Sequence, residues 1–396
     1  MLLRSERRKP MDITKILHSF GENGFSYSPV SIPIYETSIF SFESFEQFQE
    51  SLLSEFDSHL YTRGKNPTVE VLEKKIAALE KAESAKLFSS GIAAVSAATM
   101  AFLKSGDHVV CVKDAYGWTN RLFSQYLNRF GVEVTFVDGK NPDDFIKSTK
   151  SNTKLFFLES PTTFTFQLQD LSAIAEFAKD KNIKTVIDNT WATPLFQNPI
   201  ELGIDIVVHS ASKYIGGHSD VVAGIVAGNE RDIRYIFNTE FMNIGAAPGP
   251  FEAWLLLRGL RTIHLRMQKH MENTLKIVDF LKTVKEVEDI YYPLYENHPQ
   301  YELAKKQMRG GSGLLSIKLR VDSIEKIIKF TNALKIFRKA VSWGGYESLV
   351  MPYAATNREG LTEKNKIVRL HIGLENSEIL IEDLQQAFFA MKKSGF

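Results

Sequence analysis

What this chain lacks narrows its class first. Among 396 residues there is one cysteine, Cys111, which excludes an intrachain disulfide and a cysteine-rich zinc site and fits a reducing compartment. Neither sign of charge prevails: Lys+Arg 48 against Asp+Glu 47 leaves a formal charge of +1. That balance argues against nucleic acid or an anionic membrane as the main partner. No apolar run approaches the length needed to cross a bilayer. The basic stretch Met1 to Met11 (Arg4, Arg7, Arg8, Lys9) is not followed by the apolar segment of a signal peptide, so a cytoplasmic location is expected, with Met11 an alternative start. Internal repeats and low-complexity tracts are absent, and no Gly-x-Gly-x-x-Gly or Gly-x-x-x-x-Gly-Lys follows a strand-like run, which removes the common nucleotide-binding fingerprints.

What is present is an ordinary globular balance, 44% hydrophobic and 24% charged, in a chain long enough for two domains. Short apolar runs alternate with helical patterns. Residues 86–88 precede a helix over 92–103; 109–112, which contains Cys111, precedes a helix reaching 130; 132–137, 155–158, 185–187 and 206–208 continue the series, with a helix over 172–181. Such alternation predicts an α/β fold built on a large, mostly parallel sheet covered on both faces. Before residue 61 the sequence suggests an arm anchored by Ile34, Tyr35, Phe40 and Phe42. Beyond 310 strand and helix patterns mix, as in a smaller C-terminal α+β domain. The expected division is an arm over 1–60, a large domain over 61–250 and a C-terminal domain over 251–396.

In parallel sheets ligands collect at the carboxyl ends of strands. Two chemically pointed residues fall there. Lys213 lies in Ser210-Ala-Ser-Lys-Tyr-Ile-Gly-Gly-His-Ser-Asp220, just after the run 206–208, and Asp188 ends the run 185–187. An amine able to form an imine and an acid able to keep a ring nitrogen protonated are what pyridoxal phosphate (PLP) asks of a protein. Taken singly, a lysine is more often a solvated charge and a strand-terminal aspartate a helix cap.

With those residues placed, the chain resembles the Cys/Met-metabolism family of fold-type I (aspartate-aminotransferase-like) PLP enzymes over about residues 28–390. The resemblance rests on Tyr61-Thr-Arg-Gly-Lys-Asn-Pro-Thr68, Ser90-Gly-Ile92, Asp114-Ala-Tyr-Gly117, Glu159-Ser-Pro161, Asp188-Asn-Thr190, Ser210-Ala-Ser-Lys-Tyr214, Gly217-His-Ser-Asp220, Ser342-Trp-Gly-Gly-Tyr-Glu-Ser-Leu349 and Arg369-Leu-His-Ile-Gly-Leu-Glu375. It implies that Lys213 carries PLP and shuttles protons, that Asp188 pairs with the pyridine nitrogen, and that Tyr116 stacks on the ring. The amides of Ser90, Gly91 and Ile92, at a helix start, and the hydroxyls of Ser210 and Ser212 would hold the phosphate. Arg369 would grip the substrate carboxylate with a bidentate fork, Ser342 and Trp343 completing that pocket. Tyr61 and Arg63 would reach the cofactor of a neighbouring subunit, which makes the expected assembly a homodimer at minimum, tetramers being common in the family. For Tyr61 and Arg63 the plain alternative is a surface loop before a Thr68-capped helix with Leu72, Ile76 and Leu79 on one face.

Within the family, the loop at 342–349, the run at 369–375 and Asn189-Thr190-Trp191 look most like bacterial cystathionine β-lyases, which implies β-elimination of L-cystathionine. Val341 stands where several γ-acting relatives have glutamate, and Trp118 where methionine γ-lyases have cysteine; the motif at 61–68 looks more like the γ-synthase and γ-lyase branches. Cystathionine γ-lyase, methionine γ-lyase and cystathionine γ-synthase are therefore the alternatives. One departure stands out. Thr163 occupies the place of a family asparagine that hydrogen-bonds the cofactor ring oxygen, and Phe164 that of a proline. From another class, Ser210 to Lys213 also fits the Ser-x-x-Lys motif of serine acyl enzymes, but the Ser-Asp-Asn and Lys-Thr-Gly partners of that motif are missing.

Overall fold

The structure, a computed structural model, describes residues 12–392; the basic stretch Met1 to Met11 lies outside the described residues. Seven strands form the large sheet: β1 (Ser84–Phe88), β2 (His108–Val112), β3 (Glu133–Val137), β4 (Thr153–Glu159), β5 (Lys184–Asp188), β6 (Ile206–Ser210) and β7 (Gly224–Gly228), in the order β1-β7-β6-β5-β4-β2-β3. All neighbours from β6 through β3 are parallel, and β7 runs antiparallel to both β1 and β6. Strands β2 and β7 are buried at every position and β4 at all but Lys154, as expected of strands covered on both faces. Cys111 is the fourth of the five residues of β2, fully buried, where burial pushes its thiol well up.

The smaller sheet has five strands, β8 (Val287–Tyr291), β9 (Leu314–Leu319), β10 (Arg338–Lys339), β11 (Leu349–Pro352) and β12 (Ile367–His371), ordered β10-β11-β12-β9-β8. Strand β12 is thus interior, flanked on both sides by antiparallel partners. Arg369 therefore lies in an interior strand. Among the described residues no helix is long and apolar enough to cross a membrane.

Three local features differ from the sequence expectation. The arm contains two short helices, Ile13–His18 and Phe45–Leu53, capped by the side chains of Asp12 and Ser44. Strand β7, Gly-Ile-Val-Ala-Gly, carries no sequence signal because a three-residue apolar run between glycines shows no alternation. The helix expected to be capped by Thr68 is Pro67–Glu80, and its cap is Asn66, whose Oδ1 accepts the Thr68 N–H at 2.9 Å. Proline at the first helical position fixes that start. Thr68 instead faces the arm: its hydroxyl donates to Pro33 O at 2.8 Å and accepts the Tyr35 N–H at 3.0 Å.

Candidate active site

Four strand ends supply one edge of the site. Strand β5 ends at Asp188, β4 at Glu159 and β6 at Ser210, while β1 leads through Ser89 into Ser90, the cap of helix Gly91–Met100. Ser90 Oγ accepts the Ala93 N–H at 3.2 Å. A Cβ on Gly91 would stand 2.9 Å from the Cβ of Ser210, so only glycine lets this helix start lie against the end of β6. The free amides of that start and the segment bearing Lys213 are thereby brought together.

Lys213 is half-buried, and its Nζ donates to Ser342 Oγ at 2.5 Å and lies 5.6 Å from the Trp343 ring centre. Burial, then the charge of Arg369, bring its amine down to about 8, against the opposing pull of Asp188. Lys213 therefore addresses Ser342 and not Ser210, which removes the geometry that a Ser-x-x-Lys nucleophile would need.

Asp188 and Glu159 are register partners on adjacent parallel strands. Burial holds Asp188 above its ordinary value, although Thr190, His209 and Lys213 oppose it. Thr190 donates to Asp188 Oδ1 through its N–H at 2.9 Å and through its hydroxyl. Buried Glu159 is pushed up, to about 8, by burial and then by the Asp188 charge. Its two oxygens accept the Tyr116 N–H and the Thr163 hydroxyl, each at 2.7 Å. Glu159 thus holds Tyr116 in place, and the Thr163 proton points at Glu159.

The opposite edge comes from the smaller sheet. Arg369 is 7% exposed and has no carboxylate partner among the described residues. Its Nη2 donates to Ser342 O at 3.3 Å and to Met351 Sδ at 3.1 Å; its Nε and Nη1 have no hydrogen bond among them. Burial brings its value to about 10, so it stays charged at neutral pH. Ser342, with φ +75°, holds both the amine and the guanidinium: its Oγ takes Lys213 and its carbonyl takes Arg369.

The loop bearing Ser342 is pinned from behind. Buried His371 accepts the Gly344 N–H on Nε2 at 3.1 Å, so its Nδ1–H donates to Glu347 O at 2.9 Å. Burial, with His270 next, keeps this ring well below the ordinary histidine value, hence neutral. Glu375 takes the N–H and hydroxyl of Ser348, both at 2.8 Å. A Cβ on Gly344, at φ +90°, would come within 2.9 Å of the Lys213 backbone, so this loop lies directly on the lysine segment.

The structure therefore gathers Lys213, Asp188, Tyr116, Thr163, Ser210, Ser342, Trp343 and Arg369 around the cleft, with the Ser90–Ile92 amides at its edge. The Ser212 hydroxyl is engaged with Ala223, accepting its N–H at 2.9 Å and donating to its carbonyl at 3.3 Å. Tyr61 and Arg63 are exposed, stack on each other with 5.5 Å from guanidinium to ring, and make no hydrogen bond to the cluster among the described residues. Sequence reasoning missed Glu159, His371 and Glu375 as site residues. All three stood inside quoted motifs, and His371 shares the Arg369 face of β12 at a spacing of two.

An amine of lowered basicity, a strand-end acid, an open helix start and a buried unpaired guanidinium form a donor set suited to PLP and an amino-acid carboxylate. The Cys/Met metabolism PLP-dependent enzyme family matches residues 13–389. The chain belongs to this family. Its cofactor is accordingly pyridoxal 5'-phosphate. Among family members, an L-methionine gamma-lyase of Fusobacterium nucleatum is 42% identical over 372 residues, 91% of this chain and 93% of that protein. A cystathionine gamma-lyase of Bacillus subtilis is 39% identical over 90% of this chain and 94% of its own length. A cystathionine beta-lyase of Lactococcus lactis is 38% identical over 94% of this chain and 98% of its own length. The crystal structure of metB from Corynebacterium glutamicum superposes with a TM-score of 0.88 at 36% identity, covering 96% of this chain and 98% of that one. The fold is PLP fold-type I, a large mixed sheet joined to a smaller one.

Proposed function

We propose that this PLP enzyme is a carbon–sulfur lyase acting on sulfur-containing L-amino acids, and that its reaction is β-elimination of L-cystathionine, with water, to homocysteine, pyruvate and ammonia. The observation that carries the reading is Ser342, bonded at once to the amine of Lys213 and to the unpaired guanidinium of Arg369. A carboxylate taken by Arg369 leaves the α-carbon of an amino acid close to Lys213.

Bound PLP supplies an electron sink for the electrons of the α C–H bond. Lys213 is the residue assigned to hold the cofactor aldehyde and afterwards to take the α-proton on Nζ; an amine near 8 suits that work at neutral pH. Asp188 is assigned to the ring nitrogen and Tyr116, held through its amide by Glu159, to the ring face. The amides of Ser90, Gly91 and Ile92 with Ser210 are assigned to the phosphate, as is Ser212 once its hydroxyl proton turns from the Ala223 carbonyl, and Arg369, Ser342 and Trp343 to the substrate. Thr163 belongs beside the ring oxygen, with its proton shared with Glu159. Tyr61 and Arg63, exposed and apart from their own cluster, support a homo-oligomer in which a second copy completes each site.

A second reading, γ-elimination from L-methionine, is favoured by the 42% identity to a methionine gamma-lyase. Product analysis separates them. Pyruvate plus homocysteine from L-cystathionine supports the β-lyase; 2-oxobutyrate plus cysteine from it, or 2-oxobutyrate plus methanethiol from L-methionine at a higher kcat/KM, overturns it. Borohydride reduction followed by peptide mapping should find the pyridoxyl group on Lys213; its absence there overturns the site assignment.

A further inference from the structure

Phe164 is an aromatic residue in a backbone conformation that aromatics avoid. Its φ is +66°, the left-handed region, which in a non-glycine residue is strained and persists only where the surroundings impose it. Neighbouring bonds impose it: Thr163 N–H donates to Asp114 O at 3.1 Å, Thr165 N–H to Thr163 O at 2.9 Å, and Thr162 N–H to Gln167 O at 2.9 Å. The result is a ring set between two groups of the smaller sheet's side of the cleft. Its centre lies 5.1 Å from the Arg369 guanidinium carbon, and Tyr353 meets it edge-to-face at 5.1 Å and 75°.

Arg369 poses an electrostatic problem that this ring answers. A buried guanidinium loses hydration and ordinarily takes a carboxylate partner, but a resident carboxylate would compete with the one it is there to bind. A π face compensates part of the lost hydration without neutralising the charge or using an N–H. The bonds to Ser342 O and Met351 Sδ both go through Nη2, so ring and bonds together fix the guanidinium plane; Nε and Nη1 carry no hydrogen bond among the described residues, and a carboxylate gains a bidentate fork with either of them by displacing one Nη2 contact.

We propose that Phe164 is a positioning residue for substrate, its ring holding Arg369 charged, oriented and free of a competing anion so that the guanidinium recognises the α-carboxylate. This rests on the assignment of Arg369 to the substrate carboxylate, so the test separates the two. The holoenzyme is titrated with glycine, which offers an amine and a carboxylate, and with methylamine, which offers the amine alone, each followed by the change in cofactor absorbance. Phe164→Leu and Phe164→Gly should both weaken glycine about fivefold or more, the size of one partly buried cation–π contact, and move methylamine by less than about twofold. Because glycine relieves the φ strain and leucine keeps it, equal losses assign the effect to the ring. Phe164→Tyr should restore glycine binding, and in turnover the leucine variant should raise KM with kcat little changed. Unchanged glycine binding in Phe164→Leu, or equal weakening of both probes, would overturn the proposal. Arg369→Leu is the control: should it bind glycine and methylamine in the same ratio as the unaltered enzyme, the carboxylate assignment falls and this proposal with it.

Discussion

Lys213 and Ser342 stand 129 positions apart in sequence, yet the amine donates to the hydroxyl across 2.5 Å. The contact joins the two sheets at their shared cleft, because Ser342 belongs to the loop leading to β11 and Lys213 follows β6. It is also made at a cost, since Ser342 occupies φ +75°.

That cost can be exposed. Ser342→Gly removes the left-handed strain together with the hydroxyl, so it should leave the protein as stable or more stable by up to about 1 kcal/mol. Turnover should nonetheless fall about tenfold, the lower end of what a lost positioning contact costs. A thermal melt and a kcat measurement on one preparation check both halves; a fall in stability would refute the strain argument.

The amine of Lys213, lowered to about 8 by burial and by Arg369, should be half neutral near that pH in the cofactor-free protein. The sign follows from the shift: a depressed value leaves more neutral amine at any given pH, so acylation at position 213 should rise through pH 8, below the range of exposed lysines. Pulse labelling with an amine acylating reagent and peptide mass analysis across pH reads this directly. In Arg369→Leu the midpoint should move upward, because one opposing charge is gone.

Glu159 holds two donors, and glutamine has a single carbonyl oxygen. Glu159→Gln can keep its carbonyl on the Tyr116 N–H by turning its NH2 to Thr163, whose hydroxyl then reverses and accepts, so stability near neutral pH should change by about 1 kcal/mol or less. The pH profile should change shape as well. The folded value of Glu159 is raised from 4.5 to about 8, so its contribution to stability is complete below the lower figure and is lost as pH rises through the upper one. The variant should lack that alkaline decline. Denaturant midpoints across this range would show whether the two profiles converge or run parallel, and parallel profiles would count against the assignment.

Thr68 tethers the arm to the helix Pro67–Glu80 through Pro33 and Tyr35. Thr68→Val keeps the shape and removes both bonds, so about 1–3 kcal/mol of stability should be lost and protease cleavage between residues 19 and 44 should accelerate. An unchanged cleavage pattern would mean that the arm is held elsewhere, for instance by the Asn66 amide on Tyr35 O.

Much of this site was legible before any coordinates. Asp188 and Lys213 could be placed at or just after strand ends because apolar runs of buried parallel strands end abruptly at polar residues, and Arg369 was pointed to by the family motif over 369–375. The functions of Glu159, His371 and Phe164 were not legible. Each acts by contact with a residue distant in sequence: Glu159 with Tyr116, His371 with Gly344, Phe164 with Arg369. The role of Thr68 was hidden for a similar reason. A threonine near a helix start has the chemistry of a cap, and only the position of the arm shows that its hydroxyl is engaged there while Asn66 caps the helix.

By itself the sequence determined the class of fold, the PLP chemistry and the family, because strand periodicity and short motifs are local properties that a linear chain displays in full. Tertiary structure alone decided that Arg369 lies in an interior strand with no ion-pair partner among the described residues, that the Thr163 hydroxyl meets Glu159, and that one serine in a strained conformation couples amine to guanidinium. Those are matters of burial and of which groups meet across two sheets, and no spacing along the chain encodes them.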